Sequence, residues 1–363
     1  MRSTPERYFT PLDRNTTAYK ALGFIASPNA RKNQWAVRFV REYWRTLENY
    51  CIFATEGTYS DVFETQLSTT KRIKDPSRKP LSVVRLRPGK EGGITDMADL
   101  VERDEQDSDH VSTLIFVVEA KDNEDWVPED RSLLRTAIRN NIVLLKTRLS
   151  AEVWAAFEQH SIGLAASQTT PRNRSRLHVN PPHPFDESEV LALIAHDGTK
   201  LALCEWVVRH AKLLGKLGRI ITTGHTGDRV SRYLRASEIK STSVVPGRPG
   251  PEGGDVKIAK LASDNECRHI MFFVDAKTPH PHEADIQHLL RVCSYDKVAV
   301  NLRLTEAGAT SWIEGVSRWL WSMPSETPGP STARQPWKRT AGTPRDATPV
   351  RATVPVARRN VGP

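Results

Sequence analysis

The sequence has few cysteines and no long apolar segment. Four cysteines occur among 363 residues, at 51, 204, 267 and 293, and their spacing is not that of a disulfide framework or a zinc site. We interpret them as ordinary thiols in a reducing compartment. No stretch reaches the roughly 18 consecutive apolar residues that span a membrane, and residues 1–17 lack the apolar run of a secretory signal. We therefore expect a cytoplasmic protein that does not associate with membranes.

Acidic residues are scarce near the C-terminus. The chain has a net charge of +9, and residues 325–363 contain seven basic but only two acidic side chains. This segment is rich in Pro, Thr, Ser and Arg and poor in apolar residues, so we predict that residues 324–363 form a disordered basic tail. Such a tail either keeps the protein soluble, which we favour, or associates weakly with nucleic acid or other polyanions. The remainder is only mildly basic and gives no other reason to expect nucleic-acid binding.

Two stretches of the chain are near copies of each other. Residues 82–93 read SVVRLRPGKEGG and residues 243–254 read SVVPGRPGPEGG, identical at nine of twelve positions. Apolar runs before Glu119 and Asp275, and Leu-Leu-Arg at 133–135 and 289–291, extend the match. The sequence therefore predicts one domain written twice. The residue after the shared Gly-Gly is Ile94 in the first copy and Asp255 in the second, so only the second keeps a carboxylate that can act as a base.

Each copy alternates short apolar runs with helical patterns, which is typical of βαβ units and a parallel sheet with helices on both faces. We predict an α/β fold of two tandem doubly wound domains, at residues 18–165 and 185–323. A linker rich in Pro, Ser, Asn and Arg joins them at 166–184. The strands predicted in the second copy are 190–195, 219–222, 242–245, 269–274 and 298–301. The helices predicted there are 201–214, 228–235, 256–262, 284–292 and 305–316.

Five loops of the second copy carry polar or glycine-rich groups after strands, where open parallel sheets bind ligands. They are HDGTK at 196–200, TTGHTG at 222–227, PGPEGGD at 249–255, the loop that begins at Asp275, and PHEAD at 281–285. Taken singly, the first is also typical of a helix cap and the second of a turn with an N-cap. The second also suits a phosphate, because free backbone N–H groups and the helix dipole attract an anion.

In this order the loops resemble the methylglyoxal synthase family. Its pattern has His-Asp followed by Lys, then TGTTG, SGPxGGD, an Asp after an apolar strand, PHxxD and LLR, and the match covers about residues 190–316. The resemblance implies a five-stranded parallel sheet and homo-oligomers. It also implies a lyase that converts dihydroxyacetone phosphate to methylglyoxal and phosphate. We expect no cofactor, and the spacing of the His and Asp residues predicts no metal site.

The resemblance also assigns roles to residues of this chain. Asp255 matches the family's base, and His282 matches the group that stabilises the enediolate oxygen and moves protons. Asp285 is the third predicted catalytic residue. The positions that match contacts to the substrate or its phosphate are His196, Asp197, Lys200, Thr223, Gly224, His225, Thr226, Pro249, Gly250 and Asp275.

Two residues depart from the family pattern at the predicted phosphate site. Pro249 stands where the family has a serine, which removes both a hydroxyl and a backbone N–H. His225 replaces the middle threonine of TGTTG and brings a ring N–H in its place. These departures leave two functions open. We favour the lyase, because a pure binding domain has no need of a base and a proton shuttle. The alternative is a non-catalytic regulatory or sensor protein that binds a phosphorylated metabolite.

The first copy keeps the predicted architecture and changes the chemistry. It resembles the wider methylglyoxal-synthase-like superfamily, but Ser27-Pro28 replaces His-Asp, Glu119 replaces Asp275, and Trp126 stands at the position of His282. Its Thr55, Gly57 and Thr58 remain candidates for ligand contact, although we favour a structural partner domain. We expect it to pack against the second copy and to lend it a basic side chain.

Overall fold

The computed structural model describes residues 20–64, 79–125, 128–169, 189–216, 219–238, 244–278 and 283–322. The predicted tail at 324–363, linker residues 170–184, Trp126 and His282 lie outside these ranges. Every helix in the described ranges is too short or too polar to cross a membrane.

The described residues of the first half form five strands and seven helices. The strands are β1 (Lys20–Ala26), β2 (Tyr50–Thr55), β3 (Ser82–Leu86), β4 (Val111–Val117) and β5 (Val143–Leu145). The helices are α1 (Pro28–Lys32), α2 (Trp35–Glu42), α3 (Trp44–Leu47), α4 (Glu56–Thr58), α5 (Gly93–Glu102), α6 (Pro128–Arg139) and α7 (Arg148–Thr169). A π-helical segment, Tyr59–Glu64, continues α4, and 3-10 turns occupy Gly89–Glu91 and Ala120–Asp125.

In the second half, the residues that the structure describes follow the same strand plan with five strands and five helices. The strands are β6 (Val190–Ala195), β7 (Arg219–Thr222), β8 (Val244–Pro246), β9 (His269–Phe273) and β10 (Asn301–Arg303). The helices are α8 (Lys200–Leu214), α9 (Gly224–Ala236), α10 (Gly254–Ser263), α11 (Glu283–Cys293) and α12 (Glu306–Ser322). The 3-10 turns are Asp197–Thr199 and Gly250–Glu252.

The strands of each half are parallel and follow the same spatial order. The full order is β3-β2-β1-β4-β5-β10-β9-β6-β7-β8, so each half contributes the doubly wound arrangement 3-2-1-4-5. This confirms the predicted α/β fold with five parallel strands in each half. The halves also join, because β5 and β10 pair antiparallel at Leu145 and Arg303 and make one ten-stranded sheet. The sequence predicted packing between the copies but not this continuous sheet.

Polar side chains hold the two halves together at the β5–β10 junction, which we call the seam. Thr147 Oγ1 donates to the Val300 carbonyl at 2.5 Å, and Thr305 Oγ1 donates to the Ile142 carbonyl at 2.7 Å. Each bond runs from one half to the other, and the two are equivalent by the repeat. The seam therefore has approximate twofold symmetry within a single chain.

The core has three parts, two of which join the two halves. On one face of the sheet, buried side chains from both halves form a continuous cluster that includes Phe116 and Phe272. On the other face, a cluster around Trp44 belongs to the first half, and a cluster around Trp206 joins the second half to Phe157 on α7. The shared cluster makes the sheet one packing unit across the seam.

Several predicted boundaries differ from the structure, among them those of β10 and α7. Strand β10 begins at Asn301 rather than 298, because its pairing with β9 starts opposite His269. The predicted start is too early because residues 298–300 are apolar. The observed strand instead includes Arg303, which is fully buried. Helix α7 continues to Thr169, so residues 166–169 of the predicted linker are helical.

Candidate active site

The second half places its polar loops at the point where strand order reverses, between β6 and β9. Ligands bind at this switch point in open α/β sheets because the loops on either side diverge there and leave a crevice. His196 follows β6 and Asp275 follows β9 by two residues. The Asp275 backbone N–H donates to His196 Nδ1 at 2.9 Å, so the topology brings two predicted site residues into contact.

His196 is held in a defined orientation. Its ring is buried, and its centroid lies 4.9 Å from that of Phe272 in an edge-on arrangement. Because Nδ1 accepts a hydrogen bond from Asp275, the neutral ring carries its proton on Nε2. This tautomer makes Nε2 a hydrogen-bond donor, which suits contact with an oxygen of a ligand.

Lys200 and Asp197 form an ion pair beside His196. Lys200 Nζ contacts the Asp197 carboxylate across one turn, with the lysine buried and the aspartate exposed. The Lys200 ammonium, with smaller effects from Arg229 and His225, holds the pKa of Asp197 below its ordinary value. Arg229 was not among the predicted site residues, because its position in the α9 helix does not distinguish it from other exposed basic residues.

The start of α9 forms the predicted phosphate end of the site. Thr223 precedes the helix, and its Oγ1 donates to Thr226 Oγ1 at 3.1 Å. Both hydroxyls are buried, while His225 is exposed. A helix N-terminus directs N–H groups and the positive end of its dipole at an anion.

The loop before α10 lies directly against the start of α9. The Gly224 N–H donates to the Arg248 carbonyl at 2.9 Å, and a Cβ placed on Gly224 would lie 3.0 Å from Pro249 N. Pro249 therefore touches the predicted phosphate site and offers it no N–H. The structure brings these residues together, and Pro249 supplies neither the hydroxyl nor the N–H of the serine in the family pattern.

Asp255 occupies the first turn of α10 with its side chain almost fully buried. Two glycines make this placement possible. Gly253 has a φ of +90°, which favours glycine, and a Cβ on Gly254 would lie 2.2 Å from the Arg248 carbonyl oxygen. A Cβ on Gly250 would lie 2.9 Å from Asp255 Oδ2, so the carboxylate points toward the glycine loop.

Asp285 stands apart from these contacts. It lies in the first turn of α11 and is half-buried, and no contact found among the described residues joins it to His196 or Asp255. His282, the second predicted catalytic residue, falls outside the described ranges. No group of three metal-ligating side chains occurs in the part of the chain that the structure describes.

A cavity of about 450 Å³ opens between the seam and the site. His196, Asp275 and Lys277 line it from the second half, and Arg131 and Arg135 line it from α6 of the first. Arg135 Nε donates to the Ala276 carbonyl at 2.9 Å. The structure thus places two basic side chains of the first half at the cavity that His196 and Asp275 line. The Leu-Leu-Arg repeat contained Arg135, although its role could not be assigned from sequence.

The corresponding region of the first half is filled by its own side chains. Glu119, at the position of Asp275, is buried and pairs with Arg148, and burial raises its pKa. Ile94 takes the helix position of Asp255. A Cβ on Gly57 would lie 2.5 Å from Arg31 Nη1, so an arginine covers the turn between Thr55 and Thr58. These contacts favour a structural role for the first copy.

Comparison with known proteins identifies relatives for about a third of the chain. A methylglyoxal synthase from Treponema socranskii is 37% identical over 30% of this chain and 68% of its own length. Those from Oceanobacillus iheyensis and Thermus thermophilus are each 33% identical, over 35% and 34% of this chain and 85% and 94% of their own lengths.

Two further comparisons complete this picture. A solved methylglyoxal synthase structure from Elizabethkingia anophelis is 28% identical, with a TM-score of 0.32, over 36% of this chain and 79% of that one. No family model matches the chain. The relatives matched over most of their own length show that the chain belongs to the methylglyoxal synthase family.

Proposed function

We propose that the second half is a methylglyoxal synthase-type lyase that converts dihydroxyacetone phosphate to methylglyoxal and inorganic phosphate. The observation that carries this proposal is the buried carboxylate of Asp255, held by two glycines and directed at the glycine loop. Burial of a carboxylate is costly, and the first half, which has Ile94 there, packs the same turn without one. The carboxylate is therefore a feature of function rather than of folding.

The reaction begins with Asp255 as base. It removes a proton from the hydroxymethyl carbon next to the substrate carbonyl, and the electron pair forms an enediolate. The bond between the other carbon and the phosphate oxygen then breaks, and phosphate leaves with that electron pair. The enol that remains gains a proton at its methylene carbon and loses its hydroxyl proton, which gives methylglyoxal. The family resemblance gives His282 the enediolate oxygen and the proton transfers.

His196 and the start of α9 bind the substrate in this proposal. His196 Nε2 donates to a substrate oxygen, since its tautomer is fixed by Asp275. The hydroxyls of Thr223 and Thr226, the Lys200 ammonium and the helix N-terminus hold the phosphate. Arg229 supplies positive charge and His225 a ring N–H where Pro249 has removed a donor, and the family resemblance gives Asp285 the role of orienting His282. No cofactor takes part.

The test is turnover of dihydroxyacetone phosphate by the purified full chain, with methylglyoxal and phosphate both measured. Asp255→Asn keeps the shape of the side chain and removes the base, so we expect a loss on the order of 10²- to 10⁴-fold. Asp264→Asn is the matched control, because Asp264 caps the same helix and pairs with Lys260 at the surface. Equal turnover by the Asp255→Asn variant and the wild-type protein would contradict the assigned base.

A second function is favoured by one observation, the contact of Pro249 with the start of α9. If loss of this donor has ended catalysis, the second half is a sensor that binds a phosphorylated metabolite. Calorimetry with inorganic phosphate and with dihydroxyacetone phosphate distinguishes the two. Binding of both without product would support the sensor, and product formation would support the lyase.

A further inference from the structure

An arginine of the first half hydrogen-bonds to the loop that follows β9 at the site of the second half. Arg135 lies on α6, and its Nε donates to the Ala276 carbonyl oxygen at 2.9 Å. Ala276 belongs to the loop after β9, so this bond crosses the seam. A charged donor on a backbone carbonyl is one of the stronger hydrogen bonds in proteins.

The loop that Arg135 holds also fixes His196. Asp275 precedes Ala276 and donates its N–H to His196 Nδ1 at 2.9 Å, while the Lys277 N–H donates to Asp275 Oδ1 at 2.8 Å. The three consecutive residues therefore form one hydrogen-bonded turn. A shift of the Ala276 carbonyl therefore moves the Asp275 N–H. The hydrogen bond from this N–H to Nδ1 selects the tautomer of His196.

The equivalent region on the other side of the seam has a different form. There, Glu119 and Arg148 pair within the first half, and the remaining cavity is only about 20 Å³. The cavity beside Arg135 is about 450 Å³ and reaches His196 and Asp275. The space beside the seam is thus nearly filled in the first half and open in the second. Arg131 and Arg135 both line the open space.

We propose that Arg135 is a positioning residue for the second half's site, which acts through Ala276 on the hydrogen bond from Asp275 to His196. The first half then does more than stabilise the second, since it sets the protonation of a substrate-binding side chain. This inference rests on the proposed function for its kinetic consequence, but its structural consequence for His196 does not depend on turnover.

The experiment compares Arg135→Ala, Arg135→Lys and Arg139→Ala in the full chain. Arg139 lies one turn further along α6 and pairs with Glu102 inside the first half, so it is the matched control. Two readouts are taken. One is kcat/KM for dihydroxyacetone phosphate. The other is the ring ¹⁵N NMR signal of His196, assigned by its loss in His196→Gln, which reports the tautomer and its pH titration.

For Arg135→Ala we expect kcat/KM to fall by on the order of 10-fold or more, because a misplaced group near the reacting centre slows the reaction. We also expect the His196 ring signals to move toward a mixture of tautomers. Arg135→Lys keeps a charged donor and should recover part of both, and Arg139→Ala should change neither. Should wild type show no turnover, the proposed function fails and the NMR signals alone decide this inference. An unchanged His196 tautomer in a folded Arg135→Ala protein would overturn it.

Discussion

At the scale of single residues, a glycine leaves the space that the proposed base occupies. Gly250 and Gly89 are equivalent by the repeat, but their surroundings differ. A Cβ on Gly250 would lie 2.9 Å from Asp255 Oδ2, whereas a Cβ on Gly89 would meet only Ile94, at 3.8 Å. The space at Gly250 is therefore taken up by the proposed base, and the space at Gly89 is ordinary.

The prediction is that Gly250→Ala impairs turnover far more than stability. The new methyl group displaces the end of a flexible side chain, so unfolding by urea should change little, while Asp255 leaves its position and kcat falls by on the order of 10-fold or more. Gly89→Ala should shift the free energy of unfolding by no more than about 0.5 kcal/mol and leave turnover intact. Comparable kinetic losses in both variants would contradict this assignment.

At the same scale, residue types predicted which side chains lie at the strand ends but not every buried polar residue of the fold. The glycines and the strand-end Asp and His residues were recognisable because each type has a narrow structural use. Arg303 was not, since a charged side chain does not indicate a central strand. It is fully buried, and its guanidinium donates to Asn301 Oδ1 at 2.8 Å and to the Ser150 carbonyl at 3.2 Å. The Ser150 partner comes from the other half through tertiary packing, which no local pattern encodes.

At the scale of elements, the ends of β5 and β10 differ in charge although they are equivalent by the repeat. Lys146 follows β5 and Leu304 follows β10, and both are buried. Lys146 Nζ lies 4.9 Å from the centre of the Phe116 ring, and burial lowers the pKa of Lys146 to about 8, partly offset by Asp130. Burial of the Lys146 ammonium thus destabilises the first half, whereas the second half has an apolar leucine at the equivalent position.

Lys146→Leu should therefore stabilise the protein at pH 7, by up to about 3 kcal/mol. The unfolded lysine keeps its proton up to about pH 10.5, while the folded one loses it near pH 8. Between these values the unfolded state binds more protons, so wild-type stability rises with pH and the advantage of the leucine variant shrinks. Urea unfolding of both proteins at about pH 7, 8.5 and 10 measures this change across the titration range. A stability difference that stays constant across that range would show that Lys146 does not titrate as inferred.

The element order was readable from the sequence because apolar runs alternate with helical periods, and four of the five strands in the second half begin within two residues of their predicted start. The pairing of β5 with β10 was not readable. Both are three-residue strands at the edge of their own half, and an edge partner depends on the shape of the assembled surfaces rather than on the strand itself.

On the scale of the whole molecule, the seam has the form of a symmetric dimer interface contained in one chain. In such an interface a residue on the axis meets its own copy. Here the axis pairs are unlike. Leu145 faces Arg303, and Phe157 contacts α12 at Gly315, where a Cβ would lie 2.5 Å from Phe157 Cδ2. Each half has therefore become complementary to the other and not to itself.

This complementarity predicts how separated halves behave. Two copies of the second half would place Arg303 against Arg303 and leave a void between two copies of Gly315. Two copies of the first would force Phe157 against Phe157. Residues 1–169 and 185–363, produced as separate chains, should therefore associate one-to-one and not form seam-paired homodimers. Size-exclusion chromatography with light scattering measures the masses of each piece and of the mixture. Gly315→Phe in the second piece should abolish the heterodimer, because the new ring occupies the space of Phe157. A homodimer of the second piece that persists in Arg303→Glu would show that it pairs through another surface, whereas one that depends on Arg303 would contradict the complementarity argued from the seam.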